Sequence, residues 1–251
     1  RSIYDTLTWR DKKTMAVAPL LAESWKQIAP DKWQFSLKKG VKFHNGEPFT
    51  AQAVAFAAER MLFPNSQYGR YFETLKGTEV VDDNTINVVT KSADPILPDR
   101  MYFMMVPAPK WAKENAEELP IKAIGTGSYK LKEWNKGQFV RLEANPDYWG
   151  SPKPAIGEVT LLARKEPSVR AAMCRTGEAQ VCYNITTEDS KNAPKAIKQQ
   201  TVEVVAVRFN TITNPVFKDA RVREAANLAI DRQTLVDKLY SGFASPSAQW
   251  V

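Results

Sequence analysis

Two glycines separated by one threonine, Gly125-Thr126-Gly127, restrict the folds open to this chain more than any other feature. Without a Cβ, each lets the backbone turn sharply or approach another segment closely. A strand is expected next, because Tyr129 and Leu131 alternate with Ser128, Lys130 and Lys132. After Asn135-Lys136-Gly137, the run Phe139-Val140-Arg141-Leu142 answers it at hairpin spacing, so the two should pair antiparallel. Asn145-Pro146-Asp147 then enforces a turn, since proline fixes its own φ and pushes the preceding residue away from helix. Tyr148 and Trp149 follow it into the fold.

Earlier in the chain, Trp33, Phe35 and Leu37 alternate with polar residues in the period of a half-buried strand. Lys38-Lys39-Gly40 turns it before Val41 and Phe43, which reads as a hairpin. Thr50 stands where a helix N-cap belongs, with Phe49 and Val54 at hydrophobic-staple positions and an apolar face through Ala57, Ala58, Met61 and Leu62 up to Pro64. The loop Asn65 to Phe72 carries Tyr68 and Tyr71, whose hydroxyls are able to donate to a ligand. Glu79 to Val81 and Thr85 to Val89 form another hairpin around an acidic tip, the proline-punctuated stretch around Phe103 reads as a strand, and Trp111 to Leu119 as a short charged helix. Residues up to about Leu119 thus make one α+β unit.

Beyond the central hairpin, Val159 to Ala163 reads as a strand and Ser168 to Thr176 as a helix ending at Gly177, with Val169, Ala172 and Met173 on its buried face. Gly177 to Val181 should turn the chain back into a strand that brings Cys182 towards the helix carrying Cys174. A disulfide across so short a loop is geometrically possible, and two separate buried thiols are the alternative. Tyr183 and Asn184 follow at once, an aromatic beside an amide at a strand end, where loops meet clefts. Val202 to Phe209 is expected as a strand bearing Arg208, a cation suited to an anionic group in a cleft or to an acidic surface neighbour. Asp219 and Asp231 are placed to cap two helices, the second ending at Gly242.

Composition excludes several classes. The 251 residues, 43% hydrophobic and 25% charged, suffice for two modest domains with cores of their own. The longest apolar runs, such as Met101 to Pro109, fall short of the roughly 20 residues a membrane span requires. No positive-then-apolar secretion signal opens this chain, because Arg1 to Asp5 is already structural in character. A charge of +7 arises from 35 basic residues scattered among 28 acidic ones with no basic stripe, so no nucleic-acid partner is expected. Two cysteines in no close-spaced pattern and a single histidine speak against a structural zinc site, a catalytic triad or a cysteine-histidine pair. His44 stands in Phe43-His44-Asn45-Gly46, a turn context that predicts a solvated side chain.

Four segments carry a resemblance. They are LAESW followed by W-x-F-x-L-x-x-G-V-K-F-H-N-G-E-P-F-T-A (Trp33 to Ala51), GTGSYKLKEW, N-x-D-Y-W-G-x-x-x-P from Asn145, and F-N-x-x-x-x-P-x-F-x-D-x-R-V-R-x-A-x-x-x-A-I-D (Phe209 to Asp231). In spelling and order these resemble the extracytoplasmic solute-binding proteins of ABC importers, family 5, which handle oligopeptides, dipeptides and nickel chelates. The resemblance implies a mixed α/β (α+β) fold of the periplasmic binding protein type. It would be divided into a second domain over residues 1–119, part of lobe I over 120–208, and the hinge with the first helices of the other lobe over 209–251. The family continues far beyond this point and has a loop before it, so the chain reads as an internal fragment. Gln180 stands where the family has an acidic residue.

What the resemblance implies about function is a periplasmic or lipid-anchored extracytoplasmic receptor, a monomer, that captures an oligopeptide, dipeptide or similar solute and hands it to a membrane permease. Neither enzyme activity nor a cofactor nor a metal site is expected. Tyr183 and Asn184 would line the cleft and bond the ligand backbone, Tyr68 and Tyr71 would lean over it, and Arg208 would lie at the hinge crossing. The alternatives are a nickel-chelate or opine receptor of the same family, or an enzyme or regulator on the same scaffold.

Overall fold

The computed structural model describes residues 2–64, 66–119, 121–193, 195–197 and 203–247. The chain divides into two compact units, Arg1–Ala163 and Arg164–Val251. The first unit opens with β1 (Thr8–Arg10) and β2 (Val17–Pro19), paired antiparallel so that Trp9 faces Ala18. Next come β3 (Ala22–Ala29), β4 (Lys32–Leu37), helix α1 (Ala51–Met61), β5 (Leu75–Asp82) and β6 (Thr85–Thr90), and the four strands form one antiparallel sheet in the order β3-β4-β6-β5.

The alternation of Trp33, Phe35 and Leu37 does make a strand, but its hairpin partner is β3, with Trp25 opposite Phe35, and not the Val41–Phe43 run. Gly40 turns at a positive φ of 73°, and Val41 and Phe43 drop into the core instead of pairing. The acidic tip between β5 and β6 has a structural use. Thr50 sits at the N-cap of α1 with an extended backbone, yet its side chain makes no capping bond. Instead the Ala51 N–H donates to the Asp83 carbonyl at 2.8 Å. Phe49 and Val54 are both buried, at the staple spacing. Ala51, Ala53, Ala57 and Ala58 give α1 a face of small side chains, so the helix packs closely on β5 and β6 over Phe35, Ile86 and Val88.

The stretch around Phe103 is not a strand. It forms α2 (Leu97–Arg100) and a 3-10 turn, Met101–Phe103. Pro98 explains the difference: its fixed φ suits a first helical turn, and the chain extends only from Met104 onwards. Helix α3 (Pro109–Glu114) starts earlier and ends sooner than the expected 111–119 helix, its first amides donating to the Glu47 carboxylate from Lys110 and Trp111, both at 3.1 Å. The central hairpin is β7 (Tyr129–Asn135) with β8 (Phe139–Ala144), and β9 (Glu158–Leu162) pairs along the free edge of β8.

Gly125 and Gly127 bring the chain against its own beginning. The Gly127 N–H donates to the Ile3 carbonyl at 2.8 Å and the Tyr129 N–H to the Ser2 carbonyl at 2.9 Å. A Cβ on Gly125 would lie 2.1 Å from the Ile3 oxygen, and one on Gly127 would lie 2.3 Å from the Ser2 oxygen. Buried Asp5 accepts from the Thr126 hydroxyl at 2.9 Å and from Trp149 Nε1 at 3.1 Å. His44 is not the solvated turn residue its context predicts. Its ring is half-buried: Nε2 donates to the Gly127 carbonyl at 2.9 Å, and Nδ1 faces the Gly125 N–H at 3.4 Å. Because a carbonyl only accepts, Nε2 carries a proton, and because Nδ1 accepts the Gly125 N–H, the ring is the neutral tautomer. These contacts lie within one compact unit, Arg1–Ala163.

The second unit contains α4 (Pro167–Thr176), α5 (Thr187–Lys191), a 3-10 turn at Pro215–Lys218, α6 (Ala220–Leu228) and α7 (Arg232–Leu239). Gly177 ends α4 at a φ of 78°, and Asp219 and Asp231 accept the capping N–H bonds of Arg221 and Thr234. On α4 the buried residues are Ala171 and Met173, while Val169 is exposed, so the expected face is rotated. Among the described residues of this unit there is no strand. The strands expected after Gly177 and over 203–209 are absent, and Val202 lies outside the described residues.

Replacing Gly127 with alanine should cost about 2–3 kcal/mol by overpacking. The same change at Gly157, where a Cβ meets nothing, should stay within about 0.5 kcal/mol. Urea midpoints of the two variants provide the comparison.

The junction also predicts a pH response. Burial holds His44 below its ordinary 6.5. Between those two values the unfolded chain binds a proton that the folded chain refuses, so acidification through that window lowers stability. Burial pushes Asp5 the other way, above 3.8, so its contribution is fullest in acid and fades as pH rises through the folded value. His44→Gln should flatten the stability loss that sets in as pH falls below 6.5. Asp5→Asn, which keeps an acceptor for Thr126 and Trp149, should equal or exceed the native chain at neutral pH. Unfolding titrations at stepped pH read both effects.

Candidate functional site

In the first unit the candidate residues gather around an aromatic stack. A 3-10 turn over Gly69–Tyr71 follows α1, with Gly69 close against the Met61 carbonyl. It places the Tyr71 ring 4.2 Å from Phe103 with their planes 5° apart, and the Tyr68 ring 6.3 Å from each. Tyr68 and Tyr71 are therefore half-buried and face one another's stack, and neither is a loose loop tyrosine.

A polar network fixes that stack from behind. Arg100 Nη1 donates to the Tyr71 carbonyl and to Thr74 Oγ1, both at 3.2 Å, and pairs at 3.3 Å with Asp94, whose side chain is buried. The Thr74 hydroxyl closes the triangle by donating to Asp94 at 2.6 Å. A buried carboxylate with a cation and a hydroxyl on it is satisfied, so the position of Tyr71 is set by groups that have no freer arrangement. On the outer side, Arg70 lies 4.9 Å over the Tyr71 ring and donates to its hydroxyl at 3.0 Å.

Two clefts border the stack, with Phe103 lining both. One, of about 360 Å³, is bounded by Tyr4, Arg60, Met61, Tyr68 and Leu119 among others. The other, of about 370 Å³, is bounded by Tyr71 and by Arg10, Arg70 and Arg100, with Glu73 and Asp99 as its acids. Burial pushes the Tyr4 phenol upward, so that group stays neutral at physiological pH.

In the second unit, Tyr183 and Asn184 lie on an irregular segment held at two points. Cys174 on α4 is joined to Cys182 by a disulfide, with Cα atoms 6.2 Å apart. Arg170, one turn earlier on the same helix, donates from Nη1 to the carbonyls of Arg164 and Lys165 at 2.7 and 2.6 Å, and from Nη2 to the carbonyl of Asn184. Asn184 adopts a left-handed φ of 56°, a region in which asparagine is tolerated better than most side chains. With its backbone held there, Asn184 is exposed and Tyr183 is 76% exposed. Among the described residues the Asn184 side chain makes no hydrogen bond, leaving its donors and acceptor open to a ligand. Gln180, by contrast, donates to the Gly177 carbonyl within its own turn.

Arg208 is exposed in this unit and, among the described residues, has neither an acidic partner nor a hydrogen bond. The structure thus groups Tyr68 with Tyr71 in one unit, and Tyr183 with Asn184 in the other. Sequence reasoning missed Arg60, Phe103 and Arg170. For Arg170 a signal existed, because it precedes Cys174 by four residues and shares its helix face.

In sequence and in fold the chain matches one group of known proteins. Residues 16–251 match the model of bacterial extracellular solute-binding proteins, family 5. The chain belongs to that family. It is 30% identical over 257 residues to the glutathione-binding protein GsiB of Pectobacterium atrosepticum, covering 98% of this chain and 50% of that protein. GsiB of Salmonella typhi is 31% identical over 263 residues with the same coverage. The chain spans about half the length of the curated relatives it matches.

Solved structures agree. DppA of Helicobacter pylori in complex with the peptide STSA superposes with a TM-score of 0.77 at 27% identity, covering 98% of this chain and 54% of that one. NikZ of Campylobacter jejuni in complex with Ni(L-His) gives 0.82 at 26%, covering 98% and 51%.

Arg170→Met removes the charge-assisted bonds that hold the 183–184 segment, each worth about 1.5–3 kcal/mol. Proteolytic cleavage after Tyr183 should therefore quicken about tenfold or more, while cleavage in the first unit stays unchanged.

Proposed function

We propose that the protein is the substrate-binding component of an ABC importer, taking up a small solute of the peptide class outside the cytoplasm and presenting it to a membrane permease. The observation that carries this is the match of residues 16–251 to family 5, whose members compared above are named for glutathione, peptide and nickel-histidine binding. The geometry supports it in kind: aromatic rings held by buried networks, and an amide with free donors and acceptor, are what a site that binds without bond-breaking requires. Tyr183 and Asn184 are the leading candidates for peptide-backbone contact, followed by Tyr68 and Tyr71 at the aromatic cleft and Arg208 as a cation for an anionic end. Binding energy would then bias an open-closed equilibrium, and the closed form is what a permease reads.

Within the family, peptides are favoured over a bare metal ion. His44, the single histidine, has both ring nitrogens committed to the Gly125–Gly127 backbone and is not free to coordinate. We read the protein as a periplasmic or lipid-anchored monomer acting without catalysis, in line with relatives that are transport binding proteins.

The test is thermal unfolding of the full-length gene product with di- and tripeptides, glutathione and Ni(L-His), alongside native mass spectrometry of the untreated protein. A cognate peptide at a hundred times its Kd should stabilise the fold by about 2.7 kcal/mol. Asn184→Ala should reduce that shift. Stabilisation by Ni(L-His) alone would move the assignment to the chelate receptors, and no stabilisation by any of these would reject the import reading.

A further inference from the structure

The cleft beside Tyr68 contains one charge. Of its lining residues Arg60 alone is ionised, and the rest include Met61, Phe63, Tyr68, Phe103 and Met105. Arg60 stands in the last turn of α1 with its guanidinium 5.8 Å over the Phe56 ring. Three other arginines of this unit are neutralised: Arg10 pairs with Asp99, Arg100 with Asp94 and Arg141 with Glu133, while Arg70 lies over the Tyr71 ring and bonds its hydroxyl. Among the described residues no carboxylate pairs with Arg60, although it is half-buried. A partly desolvated guanidinium with its planar fork unused and an aromatic wall beside it is a receptor for a carboxylate attached to something apolar.

We propose that this cleft selects a solute bearing a carboxylate on an apolar body, the carboxylate seated on Arg60 and the body against Tyr68 and Phe103. The proposal rests on the reading of the protein as a solute binder and narrows the class of solute. The volume of about 360 Å³ lies in the range of small-molecule sites. The wall is preorganised, since Phe103 is stacked on Tyr71 and Tyr71 is fixed through Arg100 and Asp94. With no acid in the lining, a cationic solute gains nothing there and meets Arg60. The Tyr4 hydroxyl stays neutral and does not compete as an anion.

The experiment uses the full-length gene product with two probes, 3-phenylpropanoate and its uncharged isostere 3-phenylpropanamide, measured by calorimetry. The native protein should bind the acid about tenfold or more tightly than the amide. Arg60→Met should abolish that preference and leave the affinity for the amide unchanged. Arg60→Lys, which keeps the charge without the fork, should retain part of it, and Arg141→Met should behave as the native protein. Urea midpoints confirm that each variant is folded.

Equal affinity for acid and amide, no measurable binding of the acid, or a preference that survives Arg60→Met would each overturn the proposal. The two levels separate. Peptides that stabilise the protein irrespective of Arg60 would reject the carboxylate cleft and keep the import reading. Arg60-dependent binding of 3-phenylpropanoate, in a protein that no peptide stabilises, would do the reverse.

Discussion

The first unit depends on a backbone crossing that leaves no room for side chains. Residues 2–5 run against residues 125–129 so closely that a methyl group on Gly125 or Gly127 would overlap a carbonyl oxygen. Hydrogen bonds from Gly127 and Tyr129 hold the two segments together, and the Gly127 carbonyl also accepts from His44 Nε2 and from Asn145 Nδ2 at 3.2 Å. Asp5 reaches across to Thr126 and Trp149. A buried carboxylate and a half-buried imidazole thus stand without an ion-pair partner between them, each satisfied by neutral donors and acceptors. This is tolerable only while both are fully bonded, because an unsatisfied buried polar group costs about 1–3 kcal/mol. The glycines create the contact, and the polar groups around them make its geometry unique.

From that crossing the route to the clefts is short. Tyr4, beside Asp5, lines the cleft that contains Arg60. Its other walls come from the end of α1 and from the turn after α2, both packed on the same core. The alanine face of α1 sets how near the helix lies to the sheet, and with it where Arg60 emerges. The Asp94-Arg100-Thr74 network holds the opposite wall by fixing Tyr71 and, through stacking, Phe103. Side chains in the cleft are positioned by groups that never line it, which is what a site needs if it is to bind without first reorganising.

The β5–β6 and β7–β8 hairpins, the staple on α1, the Gly177 end of α4 and the two aspartate caps were legible because each is encoded within a few consecutive residues. Strands were misread wherever apolar character stood in for a partner. Val204, Val205 and Val207 have high β-propensity, yet the described residues offer them no neighbouring strand, and Val205 and Val207 remain largely exposed. The Phe103 stretch is equally apolar, but Pro98 starts a helical turn and the rings are used for stacking. β-propensity records a fit to a half-buried sheet surface, so it carries little information when that surface is supplied from far away in sequence. His44 failed for the same reason: its partners lie some eighty residues on.

That contrast also separates the two units by what stabilises them. The first has a contiguous core running from Leu7 to Ala108, with Phe35, Ile86 and Met104 wholly buried. In the second, the buried apolar residues among those described are Ala171, Met173 and Val236. Its order comes instead from short-range polar and covalent ties: the Cys174–Cys182 bond, the arginine clasps of Arg170 and of Arg223 on the Phe217 and Lys218 carbonyls, and the caps at Thr186, Asn214, Asp219 and Asp231. Ties of this kind fix local geometry without fixing much else. A segment such as Tyr183–Asn184 can therefore be held in one backbone conformation while its side chains stay exposed. The first unit thus has rigid walls built on a core, and the second has polar groups whose local order does not depend on being buried.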